Sequence, residues 1–575
     1  MKYLFFLIMP FIVFSNPQED KYLQRINSHI LLNDYESALD ETLEGLKKNQ
    51  NSKKLKLKFI ECLAYNQDDI NAIKYLNTYL KEFPDEIYNQ NFLEEISWQI
   101  LYKGAQSTQY QTRLTSAIGS YLTQDVRAVD VILNFLRDTN AVIRSVALQL
   151  ASAYIDNPIK NEVEKLLINE KIWLVKLEVI KACGNMKITS VKKNLEEIIS
   201  ADNSTYEEKA FATNALISMS DKINKEDIEK LSKSKKANLR KLSCDLILSL
   251  NILNVKDILI DLLNDPISEV RIASLNALSI VYLDNLTKNE TDQIIKKTLN
   301  DQDPSVAITS AYFAVLKTDP RGEKLLKKEI FSENIDKARF AASVLAHLKN
   351  YSLSLKEEIL KKHNDPYVLV NIAIGLIGER KLLKESSVIL HDFLQKHREK
   401  IMVETTKNTL FETLIPSYVK HIDQIPNYPE SIDQMTRLNL FSMLSIVDFA
   451  KAKEALIGFL KQKGWGVTGF AAATLLKEGD EDSLEIVRDV IKDKDESIRI
   501  QAALVLASIG RDENVTKILI DAYKSSPREL KIQILESLGH IRSKESINFL
   551  IETLSEPYQI LRVVAASSLI RSLNS

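Results

Sequence analysis

The feature that most constrains this chain is a charged pair that recurs along it. An acidic residue stands six positions before a basic one in Asp138/Arg144, Glu170/Lys176, Asp265/Arg271, Glu333/Arg339, Asp493/Arg499 and Glu556/Arg562. The base usually follows an apolar residue, as in Ile143-Arg144, Val175-Lys176, Leu239-Arg240, Val270-Arg271, Ile498-Arg499, Leu530-Lys531 and Leu561-Arg562. Lys209 and Arg339 keep the base behind a less apolar neighbour. Arg144, Lys176, Lys209, Arg240 and Arg271 follow one another at nearly even steps. Self-similarity at a period of roughly 20–50 residues marks a stack of repeated units, none of which buries its apolar face alone.

Each base opens an amphipathic stretch. Val270, Ala273, Ala277, Leu278 and Val281 fall on one face of a helix, as do Ile498, Ala502, Val505, Leu506 and Ile509. The stretch before each base, such as Val255 to Leu263, has its own apolar face. Polar turns join the two: Asp265-Pro266, Asp303-Pro304 and Asp365-Pro366. Proline is tolerated in the first turn of a helix, where its missing N–H has no partner to lose. Helix breakers are otherwise rare, with 14 Gly and 13 Pro in 575 residues. The reading is an all-α chain with two helices per unit.

These units resemble HEAT repeats, including the short HEAT-like repeats of phycobilisome-lyase type. The resemblance covers residues 111–575, about four fifths of the chain. It implies a right-handed α-α superhelix of the HEAT/armadillo-like kind. It also implies that Asp138, Arg144, Glu170, Lys176, Asp265, Arg271, Glu333, Arg339, Asp493, Arg499, Glu556 and Arg562 form a structural ladder between stacked turns rather than a ligand site.

Residues 16–110 carry a different period. Asp34-Tyr35-Glu36-Ser37-Ala38-Leu39 aligns with Asp68-Asp69-Ile70-Asn71-Ala72-Ile73 at a spacing of 34, and Leu46 aligns with Leu80. Pro84 ends the second helix. This segment resembles tetratricopeptide helical hairpins, with Ala38 and Ala72 at the close crossings. A further helix over Phe92 to Lys103 leads into the main array.

The array has irregular places. Ala307, Asn371 and Thr468 stand in basic slots, and Asp301 and Asp365 keep their acids without the usual partner. Between residues 385 and 437 the repeats blur, and Arg437 restores the register one repeat before Thr468. Within that break, Ile415 to Pro429 holds three prolines and two tyrosines, and is expected to be an extended loop between helices.

The segment Met1 to Ser15 reads as a signal peptide. Lys2 is followed by an uncharged apolar run from Tyr3 to Phe14, and Val13 and Ser15 suit cleavage after Ser15. No later segment is long and apolar enough to span a bilayer. The expected address is the periplasm or the outside of the cell. Cys62, Cys183 and Cys244 are too scattered for a disulfide framework and read as small buried apolar residues.

Chemistry is hard to find. Lys and Arg total 76 against 78 Asp and Glu, a net charge of -2, so no overall basic field favours nucleic acid. Gly464-Trp-Gly-Val-Thr-Gly469 spells a dinucleotide-type glycine pattern, but Ala455 to Leu460 before it reads as helix where a strand is required. His391 and His397 are six apart and share no helix face. No catalytic, cofactor-binding or metal-ligating residue is assigned. The expected function is a non-catalytic, exported protein–protein interaction scaffold, with other proteins as partners, in envelope assembly or maintenance. The alternatives are a secreted effector binding external or host proteins and, further off, a HEAT-like lyase or an accessory to an enzyme.

Overall fold

The computed structural model describes residues 17–574, apart from 155–156, 220–224, 397–398, 405–409, 418–427, 449, 453, 455–487, 489–490, 493 and 510–512. The proposed signal segment, Asp493, Thr468 and the glycine pattern at 464–469 therefore lie outside the described residues. The described residues are helical throughout, save one short pair of strands. The fold divides into two compact units, residues 1–150 with 506–575, and residues 151–505.

The first unit opens with α1 (Pro17–Leu31), α2 (Tyr35–Lys48), α3 (Lys53–Tyr65), α4 (Asp69–Glu82), α5 (Gln90–Ala105), α6 (Tyr110–Leu122), α7 (Ala128–Leu136) and α8 (Ala141–Ala151). The aspartates that recur in this segment are helix caps. Asp34 accepts from the Ser37 N–H ahead of α2, and Asp68 from the Asn71 N–H ahead of α4. Each satisfies a backbone donor that the first turn leaves unpaired. Ala38 and Ala72 are buried. Pro84 follows the end of α4 and starts a short 3-10 turn.

The second unit holds α9 (Asn157–Asn169), α10 (Trp173–Asn185), α11 (Lys192–Ser200), α12 (Tyr206–Ser218), α13 (Lys225–Ser232), α14 (Ala237–Leu250), α15 (Lys256–Leu262) and α16 (Ser268–Val281). It goes on through α17 (Lys288–Thr298), α18 (Pro304–Leu316), α19 (Pro320–Ile330), α20 (Ile335–His347), α21 (Leu353–Lys362), α22 (Pro366–Gly378) and α23 (Leu383–Lys396). Strands β1 (Ile401–Glu404) and β2 (Thr413–Pro416) come next, then α24 (Tyr428–Val447) and α25 (Glu496–Ile509). After α25, the first unit resumes with α26 (Thr516–Tyr523), α27 (Arg528–Ile541), α28 (Lys544–Thr553) and α29 (Gln559–Leu573).

Second helices pack on second helices: α14 on α16, α16 on α18, α18 on α20, α20 on α22. Asp303 and Asp365 cap α18 and α22, with Pro304 and Pro366 at the first helical position. One core runs through the α18–α22 stack, with Ile308, Leu326, Ala341, Leu345, Ile359 and Ile372 all buried. Burying one such Leu or Ile contributes about 1.5–3 kcal/mol. Small residues set the closest approach. A Cβ on Gly375 of α22 would lie 2.6 Å from the Ala346 carbonyl oxygen of α20.

In the first unit, α29 packs against α27 and also against α5 and α6. A Cβ on Gly104 of α5 would lie 2.5 Å from Val563 Cγ2, and one on Gly119 of α6 would lie 2.9 Å from Ser567 Cβ. Both glycines are thus required for contact with α29 rather than for any turn.

Candidate protein-binding surface

The ladder residues are placed by their repeats. In three repeats whose second helix opens with an arginine, the guanidinium turns back along the chain. Arg144 Nη1 donates to the Asp138 carbonyl at 2.9 Å, Arg271 Nη1 to that of Asp265 at 2.8 Å, and Arg562 Nη1 to that of Glu556 at 2.9 Å. The spacing of six is therefore a contact between a side chain and the backbone of its own turn. The carboxylates serve the preceding unit. Asp138 pairs with Arg113, Asp265 with Arg240, Asp301 with Arg271, Asp365 with Arg339, and Glu208 with Lys176.

This corrects one sequence expectation. Asp301 and Asp365 do not lack a partner; theirs comes from the unit before. Glu333 is exposed, and Arg339 reaches Asp365. Glu170 Oε1 accepts from the Lys171 and Ile172 N–H groups of its turn. Arg499 Nη1 donates to the Lys494 carbonyl. Glu556 Oε1 accepts from the Tyr523 hydroxyl at 3.0 Å. Sequence reasoning missed Arg113, whose place one repeat before Arg144 was the available signal. It also missed Asp69 of α4, which takes the carboxylate's part for Arg562 at 3.0 Å.

Burial and charge act together on these groups. Burial raises the Asp265 carboxyl, but the Arg240 guanidinium and the Ile267 N–H outweigh it and hold the pKa below the ordinary value. Burial likewise opposes ionisation of Glu208, and Lys176 and the Thr205 N–H reverse the sign. The Asp265 carboxylate raises the Arg240 guanidinium against its own burial. Two parallel N–H···O bonds from a fork to a carboxylate make such links directional as well as strong.

The irregular segment is where the ladder changes character. Residues between α23 and α24 stand in place of a short turn and form the antiparallel pair β1–β2, with Val403 opposite Leu414 and Glu404 opposite Thr413. Ile415 and Pro416 are thus strand, and Tyr428 and Pro429 begin α24. The expected extended loop does not cover them, because each end is fixed to a neighbouring element. Residues 418–427 lie outside the described residues.

Strand β2 lies on the second helices α20 and α22. Asn371 of α22 stands where other units carry a base. Its Oδ1 accepts from the Leu414 N–H at 2.9 Å and its Nδ2 donates to the Leu414 carbonyl at 3.0 Å. The Nδ2 also donates to the Tyr367 carbonyl, one turn back in α22, at 2.8 Å. Ser343 Oγ of α20 and Thr413 Oγ1 share a hydrogen bond at 2.7 Å. Phe411 is buried with its ring edge-on to Tyr312 of α18 and to Phe340 and His347 of α20, at centroid distances of 4.9, 6.3 and 5.4 Å. Arrangements of this kind add about 0.5–1.5 kcal/mol to simple burial. The surface can therefore hold a main chain by both polar groups of one residue and an aromatic ring three residues earlier.

Other chemistry-bearing residues are scattered. Among the described residues no His, Cys, Asp and Glu group is arranged to hold a metal ion, and no helix is long and apolar enough to cross a membrane. Cys62, Cys183 and Cys244 are buried free thiols. Burial pushes Cys62 up to about 11 and Cys183 to about 12. The imidazole of His391 faces Asp392 and Glu454.

The family model for HEAT repeats matches residues 488–570. That segment carries HEAT repeats. In the matched HEAT segment lie α25 to α28 and most of α29, with the Arg499 and Arg562 turns. No curated protein matches the chain by sequence. Among solved structures, the myosin chaperone UNC-45 from C. elegans in complex with a Hsp90 peptide is 12% identical, covers 96% of this chain and 81% of its own, and has a TM-score of 0.31. Kap121p bound to Nup53p is 13% identical, covers 97% and 86%, and has a TM-score of 0.32.

Proposed function

We propose that this chain is an exported, non-catalytic scaffold that binds other proteins through the second-helix faces of its HEAT repeats, in envelope assembly or maintenance. HEAT repeats generally mediate protein–protein interaction, and stacked units present a long surface of equivalent helices. The observation that supports the reading is the bidentate grip of Asn371 on the Leu414 backbone, by which that face holds an extended main chain. Export is supported by the uncharged run from Tyr3 to Phe14 behind Lys2.

Photocrosslinking in cells tests the binding reading. A photoreactive residue replaces exposed Val403 of β1, and another replaces exposed Ile280 on α16. Discrete, reproducible protein adducts are the expected result. A chain that stays monodisperse and gives no adduct from either position would overturn the reading. Fractionation with N-terminal sequencing tests the address. A mature start at Asn16 outside the inner membrane is expected, and a cytoplasmic chain that keeps Met1 overturns export. A protein that accumulates free in the medium moves the search to external targets and favours the secreted-effector alternative.

A further inference from the structure

The grip on β2 differs from the links that the ladder arginines make to the next unit. Arg240, Arg271 and Arg339 each reach a carboxylate side chain of the following unit. Asn371 reaches main chain, and main-chain hydrogen bonds are blind to the residue that offers them. Selectivity in this region comes from two neighbouring features. The space walled by Tyr312, Phe340 and His347 takes an aromatic ring, and the Ser343 hydroxyl takes a hydroxyl two residues after it. The surface is thus built for an extended segment of the pattern aromatic, any residue, hydroxyl, aliphatic. Phe411, Glu412, Thr413 and Leu414 are such a segment, and Glu412 is its exposed member.

The segment arrives as an insertion within one repeat. Its helices α23 and α24 keep their own attachments. Arg437 of α24 pairs with Asp433, and its Nη2 donates to the Glu399 carbonyl. Asp433 Oδ1 accepts from the Ile401 N–H, which anchors the start of β1. The packing of α22 on α20 through Gly375 and Ala346 does not involve the insertion. The closest contact between α20 and α22 is therefore made without the segment, although Phe411 joins the same core.

We propose that the face of α18, α20 and α22 is a recognition groove for an extended partner segment with an aromatic residue followed two and three positions later by a hydroxyl and an aliphatic residue, and that residues 410–416 occupy it as a tethered competitor. The proposal rests on the protein-binding reading above and gives it a partner chemistry and a means of regulation. A short tether holds its segment at an effective concentration of about millimolar. A free partner segment gains the groove only when its own contacts exceed that advantage, or when the tethered segment is drawn away.

The test uses the full chain and a fluorescent peptide of residues 408–416, followed by polarisation. The unchanged chain should bind the peptide weakly. Phe411→Ala in the chain removes the aromatic anchor of the competitor, and binding should tighten about tenfold or more, the equivalent of one hot-spot side chain. Adding Asn371→Ala to that chain should remove the gain, and a peptide carrying the same Phe→Ala change should not bind. A Phe411→Ala chain that melts as the unchanged one does and binds the peptide no better overturns the proposal. Where Phe411→Ala disturbs folding, hydrogen exchange on the unchanged chain decides. Excess peptide should speed exchange of the 413–415 amides severalfold and leave α20 protected, and no change at saturating peptide overturns the proposal. Crosslinked partners that are indifferent to Phe411→Ala also sink it, while leaving the scaffold reading intact.

Discussion

Arg240 and Asp265 join two consecutive repeats through a two-pronged link, with Arg240 Nη2 2.9 Å from Asp265 Oδ1 and Arg240 Nε bonded to Oδ2. The Asp265 carbonyl then receives Arg271, whose guanidinium passes on to Asp301. Asp265 thus belongs to two links, one through its side chain and one through its backbone, and Asp138 does the same with Arg113 and Arg144. The ladder has a direction along the chain, and removing one member loosens two turns.

Arg271→Ala should lower the stability of the second unit by about 2–4 kcal/mol, since it breaks a mostly buried pair and strips two turn carbonyls of their donor. Arg271→Lys should recover less than half of that, because an ammonium cannot make the fork. Urea unfolding of the two variants measures both effects. A loss under about 0.5 kcal/mol for Arg271→Ala, the range of ordinary surface changes, would remove the ladder from the stability account.

Acid should act on the same links. The folded pKa values of Asp265 and Glu208 lie below their ordinary values of 3.8 and 4.5. Their contribution is then fully present above the unfolded values and is lost as pH falls through the folded ones. Thermal midpoints should hold from pH 7 to about 5 and fall steeply below about 4. Asp265→Asn should be less stable at pH 7 and show a shallower acid loss. An Asp265→Asn chain with an unchanged acid slope contradicts the assignment.

Lys356 and Glu379 form a fully buried ion pair between α21 and the end of α22, and Lys356 also donates to the Leu348 carbonyl at 2.8 Å. Burial lowers the Lys356 pKa, and Glu379 opposes that shift without cancelling it. Lys356→Met alone should cost about 3–5 kcal/mol, because it leaves the buried Glu379 carboxylate with only the longer contact to Lys381 at 3.8 Å. The double change Lys356→Met with Glu379→Leu should be markedly milder. Calorimetry on the two chains distinguishes the outcomes, and a double variant as unstable as the single one would argue against a charge-based cost.

Gly375→Ala reverses a usual expectation. In an open helix, alanine for glycine stabilises by about 1 kcal/mol. Here the added methyl meets the Ala346 backbone, so a net loss of about 1–3 kcal/mol is expected from overpacking. Gly378, whose Cβ position meets nothing within 4 Å, serves as the control. Equal thermal midpoints for Gly375→Ala and Gly378→Ala would show that α20 and α22 are not in tight contact.

Much of this architecture is legible in one sequence because it depends on local period. The apolar face from Val270 to Val281 and the Asp-Pro helix starts at 303 and 365 follow from helix geometry alone. The spacing of six between Asp265 and Arg271 is just as local, but it reports a backbone contact. The carboxylate partner of Arg271 is Asp301, a whole repeat further on and past a turn whose length varies, so no fixed spacing reveals it. Asn371 is visible only as a missing base. Strands β1 and β2 are too short for an alternating pattern, and their place on α20 and α22 is set by Phe411 and Asn371. The pairing of α29 with α5 and α6 joins positions remote in sequence, and its trace there is two glycines, Gly104 and Gly119.

That pairing bears on self-association. A bare repeat face is complementary to the opposite face of another repeat, and contacts of this head-to-tail kind do not close on themselves; they grow fibres. In α29 the side that would receive a further repeat is covered by α5 and α6, with Arg562 matched to Asp69 and Gln90 Nε2 donating to Asn574 Oδ1 at 2.8 Å. Covered in this way, that face of α29 is withheld from stacking on another copy, and loss of the α5 and α6 contacts would expose it.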